Sequence, residues 1–111
     1  FVVMLMIPDI STADTLYAAM PKCTLISVIT ALETTITTAD AAVNLYKNEL
    51  TITGSPVTVA YSGSLPGDFD SATPSANNTF NGTSDVFWLG NIGASGTASN
   101  LTVSLVCTST D

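Results

Sequence analysis

The first seven residues of the chain, Phe1–Ile7, contain no polar side chain. Burying one large apolar side chain stabilises a protein by roughly 1.5–3 kcal/mol, so leaving the whole run in water would forfeit about 10 kcal/mol or more. The run can fold back as an edge strand or plug of its own domain, insert into a neighbouring subunit, or belong to a truncated hydrophobic segment. We predict insertion into a neighbour. The predicted assembly residues are Phe1, Val2, Val3, Met4, Leu5, Met6 and Ile7.

The charge composition excludes several classes of function. The formal net charge is −7, the only basic residues are Lys22 and Lys47, and the chain has neither Arg nor His. Binding to nucleic acid requires clustered basic residues, and binding to an anionic membrane surface is also strengthened by them. We therefore expect neither nucleic acid nor an anionic membrane as a partner. A Ser-His-Asp triad, an imidazole metal ligand and a bidentate guanidinium clamp are impossible. We therefore expect no enzyme and no cofactor.

The remaining composition points outside the cell. Ser and Thr together make up 30 of the 111 residues and only 10% of residues are charged, compared with about 25% in typical soluble domains. A disulfide between Cys23 and Cys107 would agree with an extracellular location, and two buried thiols are the alternative. Asn77, Asn81 and Asn100 each begin an Asn-X-Ser/Thr sequon and are candidate glycosylation sites. No segment approaches the roughly 20 apolar residues that span a bilayer.

The clearest periodicity predicts a long helix over about 24–49. Its apolar positions are spaced four and three residues apart, as on one face of an amphipathic helix. They are Leu25, Ile29, Leu32, Ile36, Ala39, Val43, Tyr46 and Leu50. The high Thr, Ile and Val content lowers the intrinsic helix propensity, so this helix would need a sheet or another helix packed against it.

Alternating apolar and polar residues predict four strands, at about 50–54, 57–62, 85–90 and 100–107. The segment between the second and third is rich in Gly, Pro, Ser, Asn and Asp, and it reads as a long loop. The predicted fold class is therefore α+β, with one long amphipathic helix on a small antiparallel sheet. We divide the chain into an apolar assembly segment, 1–8, and a single globular domain, 9–111.

Two further groups of residues are candidates for binding. Asp68 and Asp70 could offer oxygen ligands to Ca²⁺, but the spacing of a full calcium loop is absent, and a solvated loop is the alternative. Phe69, Phe80, Phe87 and Trp88 could form a carbohydrate-binding patch. Because Phe87 and Trp88 lie in the most apolar predicted strand, we expect those two in the core.

The order of elements resembles that of a type IV pilin. The shared features are Phe1 at the start of an apolar segment, Pro21 as a kinking proline ahead of the long helix, a mainly antiparallel sheet, and Cys107 near the carboxyl end. Position 5 is Leu5, where that family usually carries a glutamate, and the apolar run is shorter than the family's. The resemblance implies a subunit whose amino-terminal segments bundle in a filament, with Cys23 and Cys107 joined.

These observations lead to one functional hypothesis and two alternatives. The hypothesis is a structural subunit of an extracellular, pilus-like filament, which polymerises with identical subunits in a helical array and carries glycans on its loops. The alternatives are a virion coat or decoration protein and a monomeric secreted adhesin or carbohydrate-binding module.

Overall fold

A computed structural model describes residues 1–91 and 96–109, and all the regular structure in this part of the chain is β. The ten strands are β1 (Val2–Ile7), β2 (Asp14–Ala18), β3 (Cys23–Leu32), β4 (Ala41–Lys47), β5 (Leu50–Thr51), β6 (Val57–Val59), β7 (Phe69–Ala72), β8 (Thr79–Phe80), β9 (Phe87–Asn91) and β10 (Leu101–Ser109).

The strands form two antiparallel five-stranded sheets. The front sheet has the order β1-β10-β3-β7, and β8 pairs with the other end of β3. The back sheet has the order β2-β9-β4-β5, and β6 also pairs with β4. The first and last strands of the chain are therefore neighbours in one sheet.

The core lies between the two sheets and is filled by alternate residues of their strands. In β10 the side chains of Leu101, Val103, Leu105 and Cys107 are buried, and the residues between them are partly exposed. The same alternation runs along β4 and β9 of the back sheet. Because successive side chains point to opposite faces of a strand, each sheet buries one face and leaves the other outside.

The predicted long helix over 24–49 is wrong, and so is the α+β class. This segment forms β3, a connection, β4 and the residues that lead into β5. Its Thr, Ile and Val residues favour a half-buried pleated surface, where β-branched side chains pack well. The four predicted strands do not form one sheet either, because β10 lies in the front sheet and β5, β6 and β9 lie in the back sheet.

A β-bulge interrupts the period of two that would have identified β3 as a strand. Ser27 pairs with Val106 and Leu25 with Cys107, so Ile26 is an extra residue in β3. The bulge places the buried Leu25 and Val28 three residues apart in place of two. Beyond β3, Ile36 is buried in the connection, four residues after Leu32. The intervals of four and three in the predicted stripe combine such buried residues with Ile29 and Tyr46, which lie on the outer faces of their sheets.

The four predicted strands overlap β5, β6, β9 and β10, with differences of up to three residues at their ends. The predicted loop between the second and third of them contains two further strands, β7 and β8. Both are short and pair with β3. The sequence pattern did not predict these two strands, because they are short and contain Asp, Ser, Thr and Ala in place of the run of β-branched and aromatic residues that is typical of strands.

Candidate assembly surface

The apolar run Phe1–Ile7 pairs with its own chain. All six residues of β1 lie in register with β10, from Val2 opposite Val106 to Ile7 opposite Leu101. Phe1 continues the ladder: its amino group donates to the Cys107 carbonyl at 3.0 Å, and the Cys107 N–H donates to the Phe1 carbonyl at 2.9 Å. The backbone pairing is thus that of the edge-strand alternative.

The side chains of β1 are divided between the inside and the outside of the front sheet. Ile7 is fully buried, and Val3 and Leu5 pack partly against the core. Val2, Met4 and Met6 point the other way and remain 52%, 64% and 56% exposed. Three large apolar side chains therefore form an exposed row along this strand.

The same three residues direct their backbone groups to the open edge of the sheet. Residues opposite each other in an antiparallel pair alternate between those that exchange two hydrogen bonds and those that exchange none. Since Phe1 and Cys107 exchange both bonds, Val3 and Leu5 also bond to β10. The N–H and C=O groups of Val2, Met4 and Met6 then point away from β10.

Nothing within β1 protects this edge. Proteins usually guard an exposed edge with a lysine, a proline, a bulge, an inward-pointing charge or a very short strand. β1 has six residues, regular pairing with β10, and neither a charged side chain nor a proline. At the far edge of the front sheet, β7 has only four residues and carries Asp70 on the same side as the buried Ala72. The two edges therefore differ in kind.

The outer face of the front sheet carries no ionisable side chain on its described strands. The pairing places the following residues on this face: Val2, Met4, Met6, Thr102, Ser104, Val106, Ser27, Ile29, Ala31, Phe69 and Ser71. Phe69 is the most exposed of the large apolar ones at 75%. In a protein of net charge −7, this is a face on which two copies could meet without bringing side-chain charges together.

The predicted disulfide is not formed. Cys23 and Cys107 are both free and buried, near each other where β3 meets β10. The pKa of the Cys107 thiol is raised to about 12, mainly because the thiol is buried and secondly because the Cys23 thiol lies beside it. Since only the thiolate is nucleophilic, we expect this buried thiol to be unreactive in the folded protein. The structure therefore agrees with the alternative to a disulfide, in which both cysteines are buried free thiols.

The three sequon asparagines all use their side-chain amides within the fold. Asn77 donates to the carbonyls of Leu50 and Thr51, at 3.3 and 3.5 Å. Asn81 is exposed and closes a turn, because its Oδ1 accepts the backbone N–H groups of Thr83, Ser84 and Asp85. Asn100 donates to the Glu33 carboxylate. Glycosylation at these positions stays a prediction.

The candidate calcium ligands do not form a cluster. Asp68 accepts the backbone N–H of Leu65 at 2.8 Å and so closes its own turn. Burial, and then the charges of Asp68 and Asp40, raise the pKa of Asp70. Within residues 1–91 and 96–109, no three Asp, Glu or Cys residues are close enough to hold a metal ion.

The four candidate aromatic residues are separated by the fold. Phe80 and Phe87 meet in the core, with ring centroids 5.9 Å apart. Phe69 lies on the outer face of the front sheet. Trp88 lies on the outer face of the back sheet, so its predicted place in the core is wrong. It contacts Tyr17 and Tyr46, which the sequence pattern does not mark as binding residues.

Comparisons of this chain with protein-family models, curated proteins and solved structures find no match. In the part of the chain that the structure describes, no helix is long and apolar enough to cross a membrane. The function must therefore be argued from the surfaces of the molecule itself.

Proposed function

We propose that this protein is a structural subunit that joins copies of itself through the edge of β1. The observation that carries the proposal is the unguarded edge, at which open backbone groups and exposed apolar side chains belong to the same three residues. Such an edge is a template for another strand. The occupant we propose is the β1 strand of a second copy.

Two β1 strands fit each other about a two-fold axis at Met4. In antiparallel pairing centred there, Met4 faces Met4 of the second copy, and Val2 faces Met6. Every open N–H and C=O of these residues then finds a partner. The two front sheets join into one continuous sheet. The contact is self-complementary, as two-fold interfaces must be.

The free energy of this contact is the balance of favourable and unfavourable contributions of similar size. About six new backbone hydrogen bonds contribute on the order of 1 kcal/mol each. Partial cover of the six half-exposed side chains by their neighbours across the new strand pair contributes up to about 1 kcal/mol each. The sum, up to about 12 kcal/mol, opposes an association cost of about 4–15 kcal/mol. Edge pairing alone would therefore give a weak dimer.

A stable polymer would use the uncharged outer face of the front sheet as a second contact. A two-fold contact closes on itself, so a fibre needs another contact that points elsewhere. The outer face continues from Met4 and Met6 across the sheet to Ile29 and Phe69. Edge pairing followed by offset face-to-face packing, in which the two halves of each dimer contact two different dimers, would build an open fibre. We propose an extracellular filament, which agrees with the low charge and the hydroxyl-rich composition.

The proposal is tested by placing a lysine at the centre of the edge. In Met4→Lys, two lysines would face each other across the axis, and like charges directly opposite destabilise strand pairing. The matched control is Leu65→Lys, which makes the same charge change at a side chain of nearly equal exposure, 62% against 64%. Sedimentation velocity and negative-stain imaging measure the assembly state of each variant.

We expect fibres and their dimeric building block from the wild type and from Leu65→Lys, and monomers from Met4→Lys. A wild type that stays monomeric at millimolar concentration would overturn the proposal. So would a Met4→Lys variant that assembles like the wild type. Closed shells in place of fibres would keep the edge contact and overturn the filament.

A further inference from the structure

Three aromatic side chains form a row across the outer face of the back sheet. Tyr17 of β2 and Tyr46 of β4 both lie opposite Trp88 of β9 in the strand register. The rings of Tyr46 and Trp88 are stacked, with centroids 3.9 Å apart and planes at 14°. The rings of Tyr17 and Trp88 are 6.2 Å apart and tilted at 36°. Tyr46 therefore supports one side of Trp88.

Gly90 leaves room for this row. It follows Trp88 on the same face of β9, and a Cβ atom there would lie 3.5 Å from the Trp88 ring and 3.8 Å from the Tyr46 ring. Both distances are ordinary van der Waals contacts, so the two rings pack directly over Gly90. The stacked pair is thus held in place by the backbone beneath it.

A cleft of about 350 Å³ opens beside the row, lined by Tyr17, Trp88, Val86, Asn48 and Glu49. This volume lies within the range of small-molecule sites, roughly 300–1,000 Å³. Tyr17 is 69% exposed, so its ring is available to a ligand. The cleft combines an apolar wall of two aromatic rings and a valine with a polar wall of an amide and a carboxylate.

The polar groups of the cleft differ in their availability. The Asn48 side chain is engaged: it donates to Asp85 at 2.8 Å and accepts the Val86 N–H at 2.9 Å. By contrast, no described residue bonds to the Glu49 carboxylate, the Tyr17 hydroxyl or the Trp88 indole N–H, and none of these atoms is buried. These three residues line the cleft, so one carboxylate acceptor and two donors are left to pair with a ligand.

From this arrangement we infer that the cleft binds a neutral saccharide. A sugar ring has an apolar C–H face, which packs on aromatic side chains, and a rim of hydroxyl groups, which pair with a carboxylate acceptor and with N–H or O–H donors. A quaternary ammonium ion fits less well, because it is held by rings that surround it. Here two of the three rings are stacked on each other. The cleft lies on the sheet opposite the proposed assembly surface.

The test uses Trp88 as its own reporter, because it is the only tryptophan in the chain. Tryptophan fluorescence is titrated with neutral tetrasaccharides of glucose, mannose and N-acetylglucosamine, and with choline as the cationic competitor. The titrations use the Met4→Lys variant as well as the wild type, so that the result does not depend on assembly. The variants are Tyr17→Ala and Glu49→Gln, with Tyr61→Ala, a partly exposed tyrosine outside the cleft, as the control.

We expect a saturable change in emission with at least one tetrasaccharide. Tyr17→Ala should weaken binding about tenfold, near the upper limit of one aromatic contact. Glu49→Gln should weaken it severalfold, and Tyr61→Ala should leave it unchanged. No saturable response to any tetrasaccharide at about 10 mM would overturn the inference. So would saturation by choline alone, or undiminished binding by Tyr17→Ala.

Discussion

Proline substitutions at two neighbouring positions of β1 should have opposite effects on stability and assembly. Val3 directs its N–H to the Leu105 carbonyl of β10, whereas Met4 directs its N–H to the open edge. Proline removes the N–H and is tolerated in a sheet only where no ladder bond is lost. Val3→Pro should therefore weaken the fold, and Met4→Pro should weaken only the contact between copies.

The expected magnitudes are well separated. Val3→Pro loses one backbone hydrogen bond and leaves the Leu105 carbonyl unsatisfied, a cost of about 2–4 kcal/mol. For a domain of this size, 1 kcal/mol shifts the melting temperature by about 4 °C, so Val3→Pro should melt about 8–16 °C lower. Met4→Pro loses no internal bond and should stay within about 4 °C of the wild type.

The assay is thermal unfolding followed by circular dichroism at a concentration where all variants are monomeric, together with sedimentation at high concentration. Met4→Pro should be stable and monomeric at both concentrations. If Met4→Pro melts as low as Val3→Pro, the assignment of bonded and open positions in β1 is wrong. If it assembles like the wild type, the edge is not the contact.

Three further predictions concern the fold. The buried thiols of Cys23 and Cys107 should react with Ellman's reagent only when the protein unfolds, and a reductant should not change its melting temperature. Because the pKa of Cys107 is raised in the folded protein, the free energy of unfolding should fall as the pH rises above about 9. Gly54→Ala should lower the free energy of unfolding by about 2–4 kcal/mol in a denaturant titration, because Gly54 has a φ of 108° and a Cβ atom there would lie 2.4 Å from a backbone oxygen. Gly63→Ala, where a Cβ atom would have open space around it, should lower the free energy of unfolding by about 1 kcal/mol. Hydrogen bonds, first from a side-chain amide and then from a backbone N–H, lower the pKa of Asp85, so acidification below about pH 4 should destabilise the wild type more than Asp85→Asn.

The strands with simple alternation could be predicted from the sequence. Leu101, Val103 and Leu105 alternate with polar residues, and β10 appears where that pattern predicts it. β3 could not be identified in the same way, because the extra residue at Ile26 breaks the period of two between Leu25 and Val28, and Ile29 makes the outer face of the strand apolar as well. A bulge depends on the pairing of two distant strands, so local spacing does not reveal it.

The two candidate surfaces differ in how far the sequence reveals them. The sequence alone indicates that Phe1–Ile7 must be buried against something. Both faces of this strand are apolar, however, so the sequence does not indicate which alternate residues point outward. The aromatic row depends entirely on register. Tyr17, Tyr46 and Trp88 lie far apart in the chain, and only the pairing of β2, β9 and β4 brings them together. A shift of one residue would send each side chain to the opposite face of the sheet.

The central claim is that two copies meet at β1 with Met4 on the two-fold axis, and a cysteine at that position tests it most directly. Opposed residues that exchange two hydrogen bonds have Cα atoms about 5.5 Å apart, within the range that a disulfide bridges. The buried native thiols should not compete. After mild oxidation with diamide, Met4→Cys should run as a covalent dimer on a non-reducing gel, and Leu65→Cys should remain a monomer. Equal dimer yields from the two variants, or none from Met4→Cys, would contradict the claim.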